Sequence, residues 1–210
     1  MSILRTPFIN QFRSDRFLKI LPKYVTVFGS AQKIFNDDQH PYSVLARSLT
    51  STLAQHGHTV MTGGGPGLMM QSNKGAYNVD PSKSVGCSID IFTEQTNAYM
   101  SSCFKAFSLS LRKRVLIENA QCFVCLPGGY GTLDEFFEVL TLVKINHLKD
   151  KPKVFLLGKP FWQPLNLFIQ SAMNHHVITD EEATLFEVVD SIDPILNHVS
   201  IQTLADVETI

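Results

Sequence analysis

The fold of this chain is decided by residues 122–144, which read CFVCLPGGYGTLDEFFEVLTLVK. The apolar run at the start predicts a buried strand, and the amphipathic residues at the end predict a helix from Asp134 to Asn146. Glycines in the turn between them let the backbone approach a ligand, and a helix N-terminus attracts an anion. Glu135 is expected in the first turn of this helix. There it is either a helix-stabilising acid or a functional carboxylate beside the anion.

Composition limits the class of protein. The chain has 210 residues, enough for one substantial core, and we expect one domain at 24–210 after an N-terminal extension at 1–23. A hydrophobic content of 44% indicates a globular protein, and a net charge of -1 argues against a broad nucleic-acid surface. No apolar run approaches the roughly 18 residues of a membrane span. We therefore expect a cytoplasmic protein that binds neither nucleic acid nor membrane.

The extension at 1–23 is basic, with five Lys or Arg residues against Asp15. It lacks the continuous apolar core of a secretory signal. Two alternatives stay open: a helix that caps the domain with its phenylalanines, or a transit peptide.

Cysteine usage indicates a reducing compartment. Cys122 and Cys125 form a C-x-x-C pattern, but residues three apart on a strand face opposite sides of the sheet and cannot jointly hold a metal. We expect these two thiols, with Cys87 and Cys103, to be reduced, and we expect no metal site.

Apolar runs alternate with helical patterns along the rest of the chain. This alternation predicts a single doubly wound, Rossmann-like α/β domain with a mainly parallel sheet flanked by helices. The predicted strands are 24–28, 59–62, 84–89, 104–107, 122–125 and 153–157. The predicted helices are 41–57, 68–76, 110–119, 134–146, 162–174 and 190–205.

A second glycine-rich loop, GGGPG at 63–67, also joins a predicted strand to a predicted helix. In such sheets ligands bind at the carboxyl ends of the strands. Neither loop has the dinucleotide fingerprint or the P-loop spacing, which disfavours a dehydrogenase or a kinase. Three cations at 112–114 are expected at a helix start, where they oppose the helix dipole and so indicate anion binding.

These motifs resemble the LOG ("Lonely Guy") family of phosphoribohydrolases, formerly labelled lysine decarboxylases. PGGYGTLDE at 127–135 matches the family signature PGGxGTxxE, and GGGPG with NKGA at 73–76 resembles its other loop and helix. Arg112-Lys113 resembles its Arg-Lys pair, and the resemblance runs from about Val25 to about Ile178. The chain shows no coherent set of groups for a pyridoxal cofactor, so the older label is disfavoured.

The resemblance implies hydrolysis of the N-glycosidic bond of a nucleoside 5′-monophosphate, such as AMP or a cytokinin riboside monophosphate. The products are free base and ribose 5-phosphate, no cofactor is needed, and the family forms homodimers or larger assemblies. The family's catalytic Glu and Arg carry over to Glu135 and Arg112. The residues expected to bind substrate are Gly29, Ser30, Gly64, Gly65, Gly67, Met69, Lys113, Gly128, Gly129, Tyr130, Gly131 and Thr132.

One position departs from the family pattern. A Met-Glu pair commonly follows GGGPG in the family, whereas this chain has Met69-Met70. The missing carboxylate leaves a second hypothesis open, a nucleotide or cofactor carrier on the same fold that does not catalyse.

Overall fold

A computed structural model describes residues 23–89, 96–148 and 151–208, with the backbone alone for 201–208. The expected N-terminal extension, except Lys23, lies outside these residues. So does the first part of the loop predicted after Ile89.

The central feature is one sheet of seven strands that are all parallel. Its order is β4-β3-β2-β1-β5-β6-β7, so chain order reverses at β1 and β5. This confirms the predicted doubly wound α/β fold. The strands are β1 Tyr24–Phe28, β2 Thr59–Thr62, β3 Ser84–Ile89, β4 Ser102–Ala106, β5 Ala120–Cys125, β6 Lys153–Leu157 and β7 Phe186–Val189.

Helices cover both faces of the sheet. They are α1 Pro41–Gln55, α2 Leu68–Tyr77, α3 Leu109–Ile117, α4 Tyr130–Lys144, α5 Lys159–Asn174, α6 Asp180–Ala183 and α7 Asp193–Glu208. Helices α3, α4 and α5 pack on one face, and α1, α2 and α7 pack on the other. Strand side chains alternate between these two cores because the side-chain period of a strand is two residues. Cys122 and Cys125 accordingly lie in opposite cores, as predicted, and all four cysteines are free thiols.

The predicted start of α4 was wrong. The helix begins at Tyr130, with Gly129 as its N-cap, four residues earlier than predicted. Gly131 and Thr132 are weak helix formers, but the Thr132 side chain packs over Gly128, and this local contact outweighs propensity. Glu135 therefore lies in the second turn and is not a first-turn acid.

The predicted position of the three cations was also wrong. Helix α3 begins at Leu109 behind Ser108, whose hydroxyl caps it by accepting a hydrogen bond from Leu111 N–H. Arg112 is consequently the fourth residue of the helix, and Arg114 lies in the last turn, where a cation favours the helix dipole. Arg114 therefore does not oppose the dipole, contrary to the expectation.

The last part of the fold contains two elements that the sequence pattern did not predict. Helix α6 spans one turn, which is too short for helical periodicity to detect, and β7 has four residues, the same length as β2, which was predicted. Helix α5 begins at Lys159 and α7 at Asp193, each three residues from the predicted start. None of the helices in the described ranges is long and apolar enough to cross a membrane.

Candidate active site

Three loops meet at the carboxyl ends of β1, β2 and β5, where chain order reverses and ligands bind in open α/β sheets. Ser30 bridges the other two loops, because its N–H donates to Pro127 O at 3.1 Å and its carbonyl accepts from Leu68 N–H at 2.8 Å. Gly29 is buried beside it, and a Cβ there would lie 3.0 Å from the Leu68 Cβ. The two residues thus join the glycine loops at the expected crevice.

The first glycine loop takes a conformation that requires glycine. Gly64 and Gly67 have φ angles of 74° and 68°, in the left-handed region that other residues avoid. A Cβ on Gly67 would lie 2.4 Å from Ser30 O. The N–H of Gly67 donates a hydrogen bond to Asn36 Oδ1 at 2.9 Å. Backbone packing therefore fixes the shape of this loop before any ligand binds.

A buried network of polar side chains supports the same loop from below. Thr62 Oγ1 donates to Asn73 Oδ1 at 2.6 Å and accepts from Gly64 N–H at 2.9 Å. Asn97 Nδ2 donates to the carbonyls of Gly64 and Gly65, both at 3.1 Å. Sequence reasoning missed Thr62 and Asn97. In the sequence, Asn73 was noted only as part of the NKGA motif, and no motif around Asn97 indicates that its side chain supports this loop.

Arg112 is held against the first glycine loop by its own guanidinium. Its Nε donates to Cys87 O at 3.0 Å and its Nη2 donates to Gly63 O at 3.1 Å. These bonds use two of the five guanidinium donors. Met69, which was expected to bind substrate, packs beside it, with Sδ 4.0 Å from Nη2. The cation thus spans the ends of β3 and β2.

Glu135 lies in α4 across from this cation and is partly buried. Burial raises the pKa of Glu135 to about 7, while Arg112 opposes the rise and Asp134 adds to it. Desolvation has this effect because it disfavours the charged form of a carboxyl. A carboxyl with a pKa near neutral pH is suited to exchange protons during a reaction.

The second glycine loop has one crowded glycine and two open ones. A Cβ on Gly128 would lie 2.1 Å from Thr132 Oγ1, and Thr132 is only 4% exposed. A Cβ on Gly129 or Gly131 would meet no atom within 4 Å. The open glycines therefore border free space at the start of α4.

Both helices that follow a glycine loop begin without a side-chain cap. Gly67 is the N-cap of α2 and Gly129 is the N-cap of α4, and neither glycine has a side chain with which to cap its helix. The first N–H of α2 donates to Ser30 O, and the first N–H of α5, which follows Gly158, donates to Asp190 Oδ1. The start of α4 has no side-chain cap from Gly129, which leaves it suited to an anion.

Two further residues expected to bind substrate, Lys113 and Tyr130, lie on α3 and at the start of α4. The Lys113 ammonium lies 2.9 Å from Asp134 Oδ2 and 2.6 Å from Glu138 Oε2, so two carboxylates already engage it. Tyr130 is 94% exposed and contributes no buried pocket wall within this chain. Across residues 23–89, 96–148 and 151–208, no three His, Cys, Asp or Glu side chains gather as a metal site.

Comparisons with known proteins agree on one family. The family model described as "Possible lysine decarboxylase" matches residues 69–199. The cytokinin riboside 5′-monophosphate phosphoribohydrolase of Rhodococcoides fascians is 30% identical over 161 residues, 75% of this chain and 79% of that protein. The rice protein of the same name, LOG, is 36% identical over 70 residues, 33% of this chain and 28% of that protein.

Solved structures share the fold at lower identity. A structural genomics target aligns with a TM-score of 0.65 and 23% identity over 85% of this chain and 98% of its own. The molybdenum cofactor carrier protein of Chlamydomonas reinhardtii aligns with a TM-score of 0.60 and 21% identity over 88% and 99% of the two chains. These likenesses show the fold alone. By its sequence relatives, its matching family model and its two glycine loops, the chain belongs to the LOG family, whose family model keeps the older lysine decarboxylase label.

Proposed function

We propose that this chain hydrolyses the N-glycosidic bond of nucleoside 5′-monophosphates, with AMP and cytokinin riboside monophosphates as candidate substrates. The products are the free base and ribose 5-phosphate. The observation that carries the proposal is the placement of Glu135 and Arg112 at the crevice between two glycine loops. The names of the sequence relatives support the same reaction.

The phosphate is proposed to lie at the start of α4, against the N–H groups near Gly129 and Gly131. These glycines border open space, and the helix end carries partial positive charge. A phosphate bound there holds the ribose in place, so binding energy far from the broken bond is used for orientation.

Glu135 is proposed to act at the ribose. As C1′ loses the base, positive charge develops on the sugar, and a nearby carboxylate stabilises that charge. Water adds to C1′ and gives its proton to Glu135, while the base leaves with the bonding electron pair and takes up a proton. Arg112, which is always charged, holds the substrate and orients the carboxylate.

We also propose that two copies of this chain associate through α4. Tyr130 and Phe137 on α4, with Ile145 as its C-cap, follow one another at helical spacing and are 94%, 39% and 60% exposed. An exposed apolar stripe beside a candidate site is typical of an interface. Four free thiols fit a reducing compartment, and we propose the cytoplasm as the place of action.

Incubation with AMP and with cytokinin riboside monophosphates, followed by assay of free base, tests the activity. Wild-type protein should release base, and Glu135→Gln should lose most turnover while it still binds the nucleotide. Absence of base release from every nucleoside monophosphate, by folded protein, would contradict the proposal.

A non-catalytic carrier is the second candidate. Met70 stands where the family commonly has a glutamate, and proteins of the same fold are named molybdenum cofactor carriers. Under this alternative the wild type and Glu135→Gln bind nucleotide or cofactor alike, and neither produces free base.

A further inference from the structure

Lys113 joins the two helices that carry the proposed catalytic pair. It directly follows Arg112 on α3, and its ammonium contacts Asp134 and Glu138 on α4, at 2.9 and 2.6 Å. Those two acids lie one residue before and three residues after Glu135. The ion pairs thus cross the gap between Arg112 and Glu135.

The contact with Glu138 is the more protected of the two. Glu138 Oε2 is buried and makes no aligned hydrogen bond, so its contact with Lys113 is chiefly electrostatic. The Glu138 side chain is 35% exposed against 62% for Asp134, so solvent screens the pair with Glu138 less than the pair with Asp134. Removal of Lys113 would leave Asp134 and Glu138 without this cation, whereas removal of Glu138 would leave Lys113 paired with Asp134.

We propose that Lys113 and Glu138 are positioning residues, whose ion pair holds the helix of Glu135 against the helix of Arg112 and sets the charge around Glu135. This inference deepens the proposed hydrolase function and rests on it. It also replaces the expectation that Lys113 binds substrate directly, because Asp134 and Glu138 already engage its ammonium.

The charges around Glu135 come from three elements. Helix α3 contributes two cations, which favour the carboxylate and so lower its pKa, and α4 contributes two acids, which raise it. Strand β5 contributes a buried thiol whose own pKa is raised by burial and by the charge of Glu135. These groups are Arg112, Lys113, Asp134, Glu138 and Cys125.

The two partners of the ion pair should therefore move the pKa of Glu135 in opposite directions. Lys113→Met removes a positive charge and should raise the pKa of Glu135. Glu138→Gln removes a negative charge that partly cancels the charge of Lys113, and it should lower the pKa of Glu135. If the ion pair only held the two helices together, the pKa of Glu135 would shift in the same direction in both variants. Both variants would lose the same contact and admit water to the same carboxyl group.

Carboxyl ¹³C NMR of the full-length protein, labelled at glutamate, measures this pKa without any substrate. The Glu135→Gln spectrum assigns the resonance. We expect an upward shift in Lys113→Met, a downward shift in Glu138→Gln and a double variant close to wild type, with coupling shown by a double-mutant cycle. Shifts of the same sign in both single variants, or no shift in either, would overturn the proposal.

Kinetics separates positioning from substrate binding. Lys113→Met should lower kcat about tenfold with KM little changed, as expected for loss of one interaction between coupled side chains. Lys113→Arg, which keeps the charge, should recover most of kcat. A rise in KM with kcat unchanged would overturn the proposal, because that pattern indicates uniform binding of the substrate.

Lys144→Met is a matched control on the same helix as Glu135. Lys144 pairs with Glu182 of α6 at 2.5 Å, outside the candidate site. This variant loses an ion pair of the same chemistry and should leave the pKa of Glu135 and kcat unchanged. If the wild type shows no base release, the hydrolase proposal fails, while the NMR titration still decides whether this ion pair sets the charge on Glu135.

Discussion

The Nη2 atom of Arg112 donates a hydrogen bond of 3.1 Å to the carbonyl oxygen of Gly63, and the same atom leaves too little room for a Cβ on Gly63. Such a Cβ would come within 2.2 Å of Nη2. The absence of a side chain at Gly63 is therefore part of what sets the position of the guanidinium. The relationship joins two motifs 49 residues apart in sequence.

Gly63→Ala should displace Arg112 and reduce kcat/KM by about 100-fold, the size expected when a catalytic group moves by about 1 Å. Steady-state assay of free base measures the effect. In an Arg112→Ala background, Gly63→Ala should reduce kcat/KM little further, because the guanidinium that it would displace is already absent. Equal losses in both backgrounds would mean that Gly63 acts independently of Arg112.

Gly131→Ala should keep the fold and weaken substrate binding. A Cβ there meets no protein atom, and alanine in a helix is favoured over glycine by up to about 1 kcal/mol, so thermal stability should hold or rise. The new methyl group would narrow the proposed phosphate seat, and KM should rise. Thermal unfolding and steady-state kinetics together check both effects.

Gly128→Ala is the matched comparison from the same loop. Its Cβ would lie 2.1 Å from the buried Thr132 hydroxyl, so we expect destabilisation by about 1–3 kcal/mol from overpacking. In chemical denaturation, the free energy of unfolding should therefore be lower for Gly128→Ala than for wild type, and equal or higher for Gly131→Ala. The reverse order would contradict the placement of Thr132.

The raised pKa of Glu135 predicts that the ionised side chain lowers the free energy of unfolding. Between about pH 4.5 and pH 7 the folded protein holds a proton that the unfolded chain has released, so this group's contribution to stability is lost as pH rises through that window. Glu135→Gln should remove this loss. Urea unfolding should show the variant gaining stability over wild type by about 1–3 kcal/mol at pH 8 and little at pH 4.

The apolar stripe on α4 predicts association. Phe137→Asp should shift the protein toward monomer, because a charge in the interface would be desolvated without a partner. Light scattering after size exclusion measures the mass. Val177→Asp, at another exposed apolar residue and off α4, is the control and should leave the mass unchanged. A wild type that is monomeric at high concentration would contradict the interface.

Local sequence predicted the motifs because their physics is local. A buried run followed by glycines and an amphipathic segment is enough to indicate strand, turn and helix, and alternation along a strand correctly placed Cys122 and Cys125 in opposite cores. The same patterns predicted the parallel α/β sheet. They also identified Arg112 and Glu135 as candidates, through the resemblance to the LOG family.

Tertiary structure decided what the charges of those helices contact. The helix starts depend instead on local features that hydrophobic periodicity does not detect, Thr132 packed over Gly128 for α4 and the Ser108 cap for α3. Pairing of Lys113 with Asp134 and Glu138, and burial of Glu135, arise only when distant segments meet. Sequence alone therefore determined which groups are present. Folding decided their charge state and partners, because desolvation and ion pairing depend on distance in space.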